Sequence, residues 1–246
     1  MQIANKLLIS KLTIQKAHDS IKPFIERTPV LYSTSISEMA GCQLFFKCEN
    51  FQKIGAFKMR GATYALQQVK AKGLTNKVVT HSSGNHAQAI AKAAKSLGVE
   101  AFIVMPSTAP KIKVEGVKAL GGKITFCEPN LKARENGMRR IQEREGALFI
   151  PPYDDLDVIT GQASAAKELL EENSNLNAIL TPVGGGGLLA GTALAAHYFS
   201  TNCKIYGSEP LGADDAYRSF KAGKLIPQEN PQTLADGLLT SLGKQN

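Results

Sequence analysis

The sequence predicts an α/β protein made of two open, twisted, mostly parallel sheets flanked by helices. Three observations predict it. Short apolar runs of strand length alternate with longer segments of helical periodicity from Leu44 onward. A run of four glycines, Thr181-Pro-Val-Gly-Gly-Gly-Gly-Leu-Leu-Ala-Gly191, joins an apolar strand pattern to an alanine-rich helix pattern. No internal repeat or low-complexity tract interrupts the alternation. Repeated β-α-β units imply parallel pairing, with ligands at the carboxyl ends of the strands.

Taken in order, Leu44–Cys48 reads as a strand and Ala56–Lys70 as a helix. Lys77–His81 is a strand on its short apolar run around Val78 and Val79. In the next segment Ala87, Ile90, Ala94 and Leu97 recur at helical spacing. A strand at Ala101–Met105, a helix around Lys111–Leu120, a strand at Lys123–Cys127 and a helix at Leu131–Glu145 follow. A further helix is predicted from Gly161 to Glu172, then a strand from Leu176 to Val183, a helix from Leu188 to Phe199 and a strand at Lys204–Ser208. Pro151-Pro-Tyr-Asp-Asp155 is the best loop between two halves. The expected division is a smaller βαβ domain over 77–146 and a discontinuous larger domain over 1–76 and 147–246.

Composition narrows the function. At 246 residues the chain can bury a large core, and 43% hydrophobic with 20% charged residues is ordinary for a soluble globular enzyme. No apolar run approaches the ~20 residues that span a bilayer, and the N-terminal stretch lacks an apolar signal region. The expectation is a cytoplasmic protein with no membrane partner. Net charge is +8. Yet Lys and Arg are spread along helical faces, densest at Lys111/Lys113/Lys118 and Arg134/Arg139/Arg140, without interleaved aromatics. That argues for attraction of small anions rather than nucleic acid binding. Cys42, Cys48, Cys127 and Cys203 form no C-x-x-C pair and the four His are dispersed, so no zinc site is expected.

Three segments carry chemistry. The glycine run leaves a backbone without Cβ atoms that can aim several N–H groups at one point beside a helix N-terminus, an anion site suited to phosphate. The alternative is a tight turn where strand and helix pack closely. In Asn50-Phe-Gln-Lys-Ile-Gly-Ala-Phe-Lys58-Met-Arg-Gly61 a lysine falls at the first turn of a helix. A free lysine is neutral in roughly one molecule in 2,500 at pH 7. A helix N-terminus and burial both favour the neutral, imine-forming amine, whereas most lysines are simply solvated. Thr80-His-Ser82-Ser83-Gly84-Asn85-His86-Ala-Gln88 joins strand to helix, with Ser82 or Ser83 as N-cap and loop N–H groups suited to a carboxylate. Asn85 can hydrogen-bond a ligand ring; His86 is read as a structural bond to a loop carbonyl. Finally, Glu209 with Asp214 and Asp215 could hold Mg²⁺ or Ca²⁺ through oxygen ligands or form a metal-free acidic loop. A phosphate loop, a carboxylate loop and an imine-competent lysine together fit pyridoxal 5′-phosphate (PLP) acting on amino acids.

Lys53-x-Gly-Ala-Phe-Lys58-x-Arg-Gly-Ala, Ser82-Ser-Gly-Asn-His-Ala-Gln88 and the tetraglycine loop resemble the serine racemase and serine/threonine dehydratase family of fold-type II (tryptophan synthase β-like) PLP enzymes. The likeness runs from Lys16 to about Gly243 and includes Arg27-Thr-Pro-Val, Thr160-Gly-Gln and Ala235-Asp-Gly. It implies Lys58 as Schiff-base lysine and proton acceptor on one face of Cα, and Ser83 as proton carrier on the other. It implies Gly184, Gly185, Gly186 and Gly187 on the phosphate, Asn85 on the cofactor 3′-oxygen, and Ser82 to His86 on the substrate carboxylate. It further implies a divalent cation, Mg²⁺, Ca²⁺ or Mn²⁺, on Glu209, Asp215 and the Ala213 carbonyl. The expected reaction is β-elimination of L-serine or L-threonine to a 2-oxo acid and ammonia, with serine racemisation, in a homodimer. Ala56 replaces a serine common in the family. Family members also continue for about a further quarter of their length, so the larger domain is expected to be incomplete, and a ligand-binding relative without turnover is an alternative. An NAD-dependent dehydrogenase is the other, from Gly185-x-Gly187-x-x-Ala190 with Glu209 after the next strand.

Overall fold

The computed structural model describes residues 9–244. Helix α1 (Lys11–Ile21) is opened by Ser10, whose hydroxyl accepts from the Thr13 N–H. Strands β1 (Val30–Tyr32) and β2 (Phe45–Lys47), separated by helix α2 (Thr34–Ala40), pair antiparallel. The predicted strand at Leu44–Cys48 is thus β2, and its pairing with β1 is the antiparallel exception in a mostly parallel framework. Strand β1, three residues with largely exposed side chains, leaves no alternation for the sequence to reveal.

Helix α3 (Lys58–Ala71) leads to a four-stranded sheet, all parallel, in the order β5-β4-β3-β6. Its strands are β3 (Lys77–His81), β4 (Glu100–Pro106), β5 (Lys123–Cys127) and β6 (Leu148–Phe149). Helices α4 (Asn85–Leu97), α5 (Lys111–Ala119) and α6 (Leu131–Glu145) are the crossovers. In β4 the inner residues Ala101–Met105 are all buried, as a parallel strand covered on both faces requires. Helix α7 (Leu156–Glu172) then leads to a two-stranded parallel sheet of β7 (Ala178–Pro182) and β8 (Lys204–Ser208) joined by α8 (Gly187–Phe199), before the short α9 (Asp215–Ala222).

Helix α7 is the axis of the molecule; Val158 through Leu170 are buried without a break. Glycines at its crossings permit this. A Cβ at Gly161 would lie 2.7 Å from the Arg60 carbonyl on α3, and one at Gly191 of α8 would lie 2.8 Å from the Ala163 nitrogen. The helix starts at Leu156, capped by Asp155, and not at Gly161 as the sequence suggests. In the sequence Gly161 resembles a breaker; in the fold it serves close helix packing. The main apolar core gathers Ile21, Met59, Leu66, Ile90, Ile103 and Met105 between α1, α3, α4 and the four-stranded sheet. Each such side chain contributes about 1.5–3 kcal/mol on burial. Among the described residues no helix is long and apolar enough to cross a membrane.

Candidate active site

The start of α3 is set by an unusual turn. Ile54 (φ 66°) and Gly55 (φ 69°) both take left-handed backbone, and a β-branched residue there is strained. Ile54 is held by packing against the main core. The turn delivers Lys58 as the first residue of α3. Its Nζ donates to the Pro152 carbonyl at 2.6 Å and stands over the Phe57 and Tyr153 rings, 5.2 and 5.7 Å from their centroids. Burial lowers its pKa to about 8. At pH 7 about one molecule in ten then carries the neutral amine, against roughly one in 2,500 for a free lysine.

Lys58 lines a cavity of about 540 Å³, and Ser82, Ser83, Gly84, Asn85, His86 and Gly184 to Gly187 line the same cavity. The structure thus brings together three segments far apart in sequence. Helix α4 begins at Asn85 after Gly84, with no side-chain cap. This corrects the expected serine N-cap: the Ser82 hydroxyl accepts from the Gly84 N–H at 3.3 Å instead. An uncapped N-terminus keeps its N–H groups and positive dipole end available to an anion. The Ser83 hydroxyl and the Asn85 amide make no hydrogen bond to another described residue. His86 is buried, and its Nε2–H donates to the Ile150 carbonyl at 3.2 Å. Burial, then the Lys58 charge, lowers its pKa to about 3, so the ring is neutral and its buried Nδ1 is an unpartnered acceptor.

The glycine loop serves packing as well as access. Gly186 is left-handed (φ 93°), a Cβ at Gly187 would lie 2.9 Å from the Tyr153 carbonyl, and one at Gly185 would run into the Tyr153 ring. The segment from Asp236 to Lys244 crosses beside it: the Gly243 N–H donates to the Gly185 carbonyl at 3.1 Å, and Lys113 of α5 pairs with Asp236 at 2.6 Å.

Arg134 of α6 also lines the cavity, and its Nε is buried without a partner. In the sequence it belongs to a basic cluster on a solvated helix face; only the packing of α6 on the sheet turns it inward. Burial, then the Arg134 charge, lowers the pKa of His81, which stacks on Phe149 at 5.3 Å.

Glu209, Ala213 and Asp215 do not line this cavity. Both Glu209 oxygens accept from backbone, the Ala216 N–H at 3.1 Å and the Tyr217 N–H at 2.7 Å, while Asp215 Oδ2 accepts from the Leu242 N–H at 2.7 Å. Burial raises the Glu209 pKa, and Asp215 and Asp214 add to the rise. Among the described residues no three His, Cys, Asp or Glu side chains converge as a metal cluster. Glu209, the acid a dinucleotide site would need at the ribose, is thus not among the residues that share the cavity with the glycine loop.

The family model for pyridoxal-phosphate dependent enzymes matches residues 21–245. The serine racemase of Dictyostelium discoideum is 46% identical over 232 residues, covering 94% of this chain and 72% of that protein. The beta-hydroxyaspartate dehydratase of Paracoccus denitrificans is 47% identical, covering 92% and 72%. Among solved structures, maize serine racemase superposes with a TM-score of 0.93 at 45% identity, covering 96% of this chain and 72% of that one. A T.th. threonine deaminase gives 0.88 at 40% identity, covering 96% and 77%. The fold and the sequence agree on one assignment, and this chain belongs to the pyridoxal-phosphate dependent enzymes.

Proposed function

We propose that the chain catalyses β-elimination from L-serine and L-threonine to a 2-oxo acid and ammonia, and racemises serine at the same site. One observation carries the reading: a lysine amine tuned to about 8 by burial shares a cavity with an uncommitted serine hydroxyl and a side-chain-free glycine loop. The residues fit pyridoxal phosphate, since the lysine is poised to become neutral and the loop has no side chain to obstruct an anion. Gly184 to Gly187 would hold its phosphate, Asn85 its 3′-oxygen and Lys58 its aldehyde carbon. Bound there, the cofactor supplies an electron sink for the electrons of the Cα–H bond.

This chain's residues divide the remaining work. The uncapped start of α4, from Ser82 to His86, receives the substrate carboxylate. The Lys58 amine takes the Cα proton on one face, and the Ser83 hydroxyl gives or takes a proton on the other. Loss of the β-hydroxyl as water, regained when the C–N bond is hydrolysed, converts L-serine to pyruvate and ammonia with no net change in water. Return of a proton by Ser83 gives the D-amino acid. An assay on both L-amino acids tests the reading. Pyruvate, 2-oxobutanoate and D-serine are expected, and Ser83→Ala should abolish D-serine while retaining proton removal from L-serine. Failure to form any product with cofactor bound would favour a ligand-binding role without turnover.

A second reading of the substrate follows from Arg134. Its guanidinium-bearing side chain on the cavity wall suits a second carboxylate, so a hydroxyaspartate joins serine and threonine as a substrate. Two relatives carry that activity in their names, the Paracoccus dehydratase and the L-threo-3-hydroxyaspartate ammonia-lyase of Saccharomyces cerevisiae, 46% identical. Arg134→Met should raise KM for hydroxyaspartate about tenfold or more and leave serine less affected.

The all-oxygen set of Glu209, Asp215 and the Ala213 carbonyl suits Mg²⁺, Ca²⁺ or Mn²⁺, provided the carboxylates exchange their backbone hydrogen bonds for the ion. A Mg²⁺-dependent rise in the unfolding temperature, absent in Asp215→Asn, is the expected result. The same reading includes a homodimer, a cytoplasmic location, and a smaller domain over 77–146 against a larger one formed by 1–76 and 147–246.

A further inference from the structure

We infer that Tyr153 is a positioning residue for the cofactor, a wall built jointly with Gly185 that fixes the span between the phosphate loop and Lys58. The inference rests on the assignment of Lys58 and the glycine loop made above. Tyr153 stands in the connection between β6 and α7, which in the sequence is a loop between two halves with no chemistry of its own. In the fold it stands beside both the glycine loop and Lys58. Its ring lies flat against Gly185, where any Cβ would collide with it, and its backbone lies against Gly187, 2.9 Å from where a Cβ would be. The same ring lies 5.7 Å from Lys58 Nζ, and the preceding carbonyl, that of Pro152, accepts from the Lys58 amine. The Tyr153 hydroxyl reaches Thr240 Oγ1 at 3.4 Å in the segment that covers the cavity.

A cofactor held by Lys58 at one end and by the glycine N–H groups at the other would have this ring beside both of its anchors. The tetraglycine run is then explained twice over. Backbone access to phosphate requires small residues in general, but Gly185 in particular is required by the tyrosine. An aromatic face at this place excludes water from the lysine and limits the tilt of the bound ring.

A double-mutant cycle tests this. Tyr153→Phe, Tyr153→Ala, Gly185→Ala and the Tyr153→Ala/Gly185→Ala pair are titrated with pyridoxal phosphate, following the visible imine band on Lys58. Thermal unfolding of the cofactor-free proteins is recorded beside it. Tyr153→Ala should weaken cofactor binding about tenfold, the worth of a lost aromatic contact, and move the pH midpoint of band formation upward as water reaches the amine. Tyr153→Phe should restore both. Gly185→Ala alone should lower the unfolding temperature, and the pair should recover it, because the ring that the methyl strikes is gone.

If Tyr153→Ala leaves affinity and pH midpoint unchanged while the parent shows the band, the inference is overturned. So it is if the tyrosine variant only unfolds more easily, or if the pair is no more stable than Gly185→Ala. No band in the parent overturns the Lys58 assignment itself, and the inference with it.

Discussion

Helix α3 presents two cationic side chains two residues apart, Lys58 and Arg60, and the fold treats them in opposite ways. Arg60 is fully buried and fully paired. Its Nε and Nη2 donate to the two oxygens of Glu49 at 2.8 Å, and Nη1 and Nη2 donate to those of Glu168 at 2.9 and 2.8 Å. Glu168 also accepts from Lys47 at 2.8 Å and from His18 Nε2 at 2.9 Å, while Lys167 donates to His18 Nδ1 at 3.1 Å. Burial alone would raise the Glu168 pKa, but the His18, Arg60 and Lys47 partners hold it well below the usual carboxylate range. Around Lys58 the reverse holds. Among the described residues the Ser83 and Asn85 side chains lack hydrogen-bond partners, the Arg134 Nε and His86 Nδ1 are buried and unsatisfied, and the amine meets one carbonyl and the faces of two aromatic rings, with no countercharge. A satisfied network fixes structure; an unsatisfied one of the same polarity, lining a cavity, is matched to a ligand.

The sharpest break in that comparison is Lys58→Ala. It should lower kcat/KM by on the order of 10³-fold or more and remove the borohydride-trappable imine band. The unfolding temperature should not fall, because the amine is held with its charged form disfavoured. Its depressed pKa also predicts that, in the parent protein, imine formation at limiting cofactor rises with pH and levels off above about 8.

Glu168→Ala should do the opposite, leaving any folded protein able to form the imine but costing about 3–5 kcal/mol of stability, measured by denaturant unfolding. It would strand Arg60 among buried groups without half its countercharge. Since the folded pKa of Glu168 lies below its ordinary value of 4.5, its contribution is fully present above that pH and is lost as pH falls below it. Acid unfolding of the parent should therefore be steeper than that of Glu168→Ala.

The smallest effect belongs to a pair outside both regions. Lys72 and Asp157 meet at 3.3 Å with side chains 55% and 36% exposed, and Lys72→Ala should cost no more than about 0.5 kcal/mol. A larger loss would mean that exposed pairs between α3 and α7 share in the buried network.

Much of this architecture is legible in the sequence because it is local. Three of the four strands of the parallel sheet, the helices between them and the place of Lys58 at a helix start follow from periodicity and turn chemistry within short windows; the two-residue β6 (Leu148–Phe149) does not. The glycine loop and the Ser-Ser-Gly-Asn loop are each recognisable by composition, since bare backbone at a helix N-terminus is an anion site wherever it occurs. What escapes is short or non-local. Strand β1 and its antiparallel pairing with β2 escape because three residues are too few for a pattern. Helix α7 begins five residues before Gly161, because that glycine answers to α3 and not to its own neighbours.

The sequence by itself determined which residues could do chemistry and the alternating order that carries them to strand ends. Tertiary structure alone decided which of them meet. It gathered Lys58, Ser83 and the glycine loop into one cavity and left Glu209 and Asp215 outside it. It also turned Arg134 inward and set Tyr153 on Gly185. The reason is physical: a residue's type and spacing fix its local backbone, but pKa, burial and the need for a partner arise only when distant segments exclude water from it together.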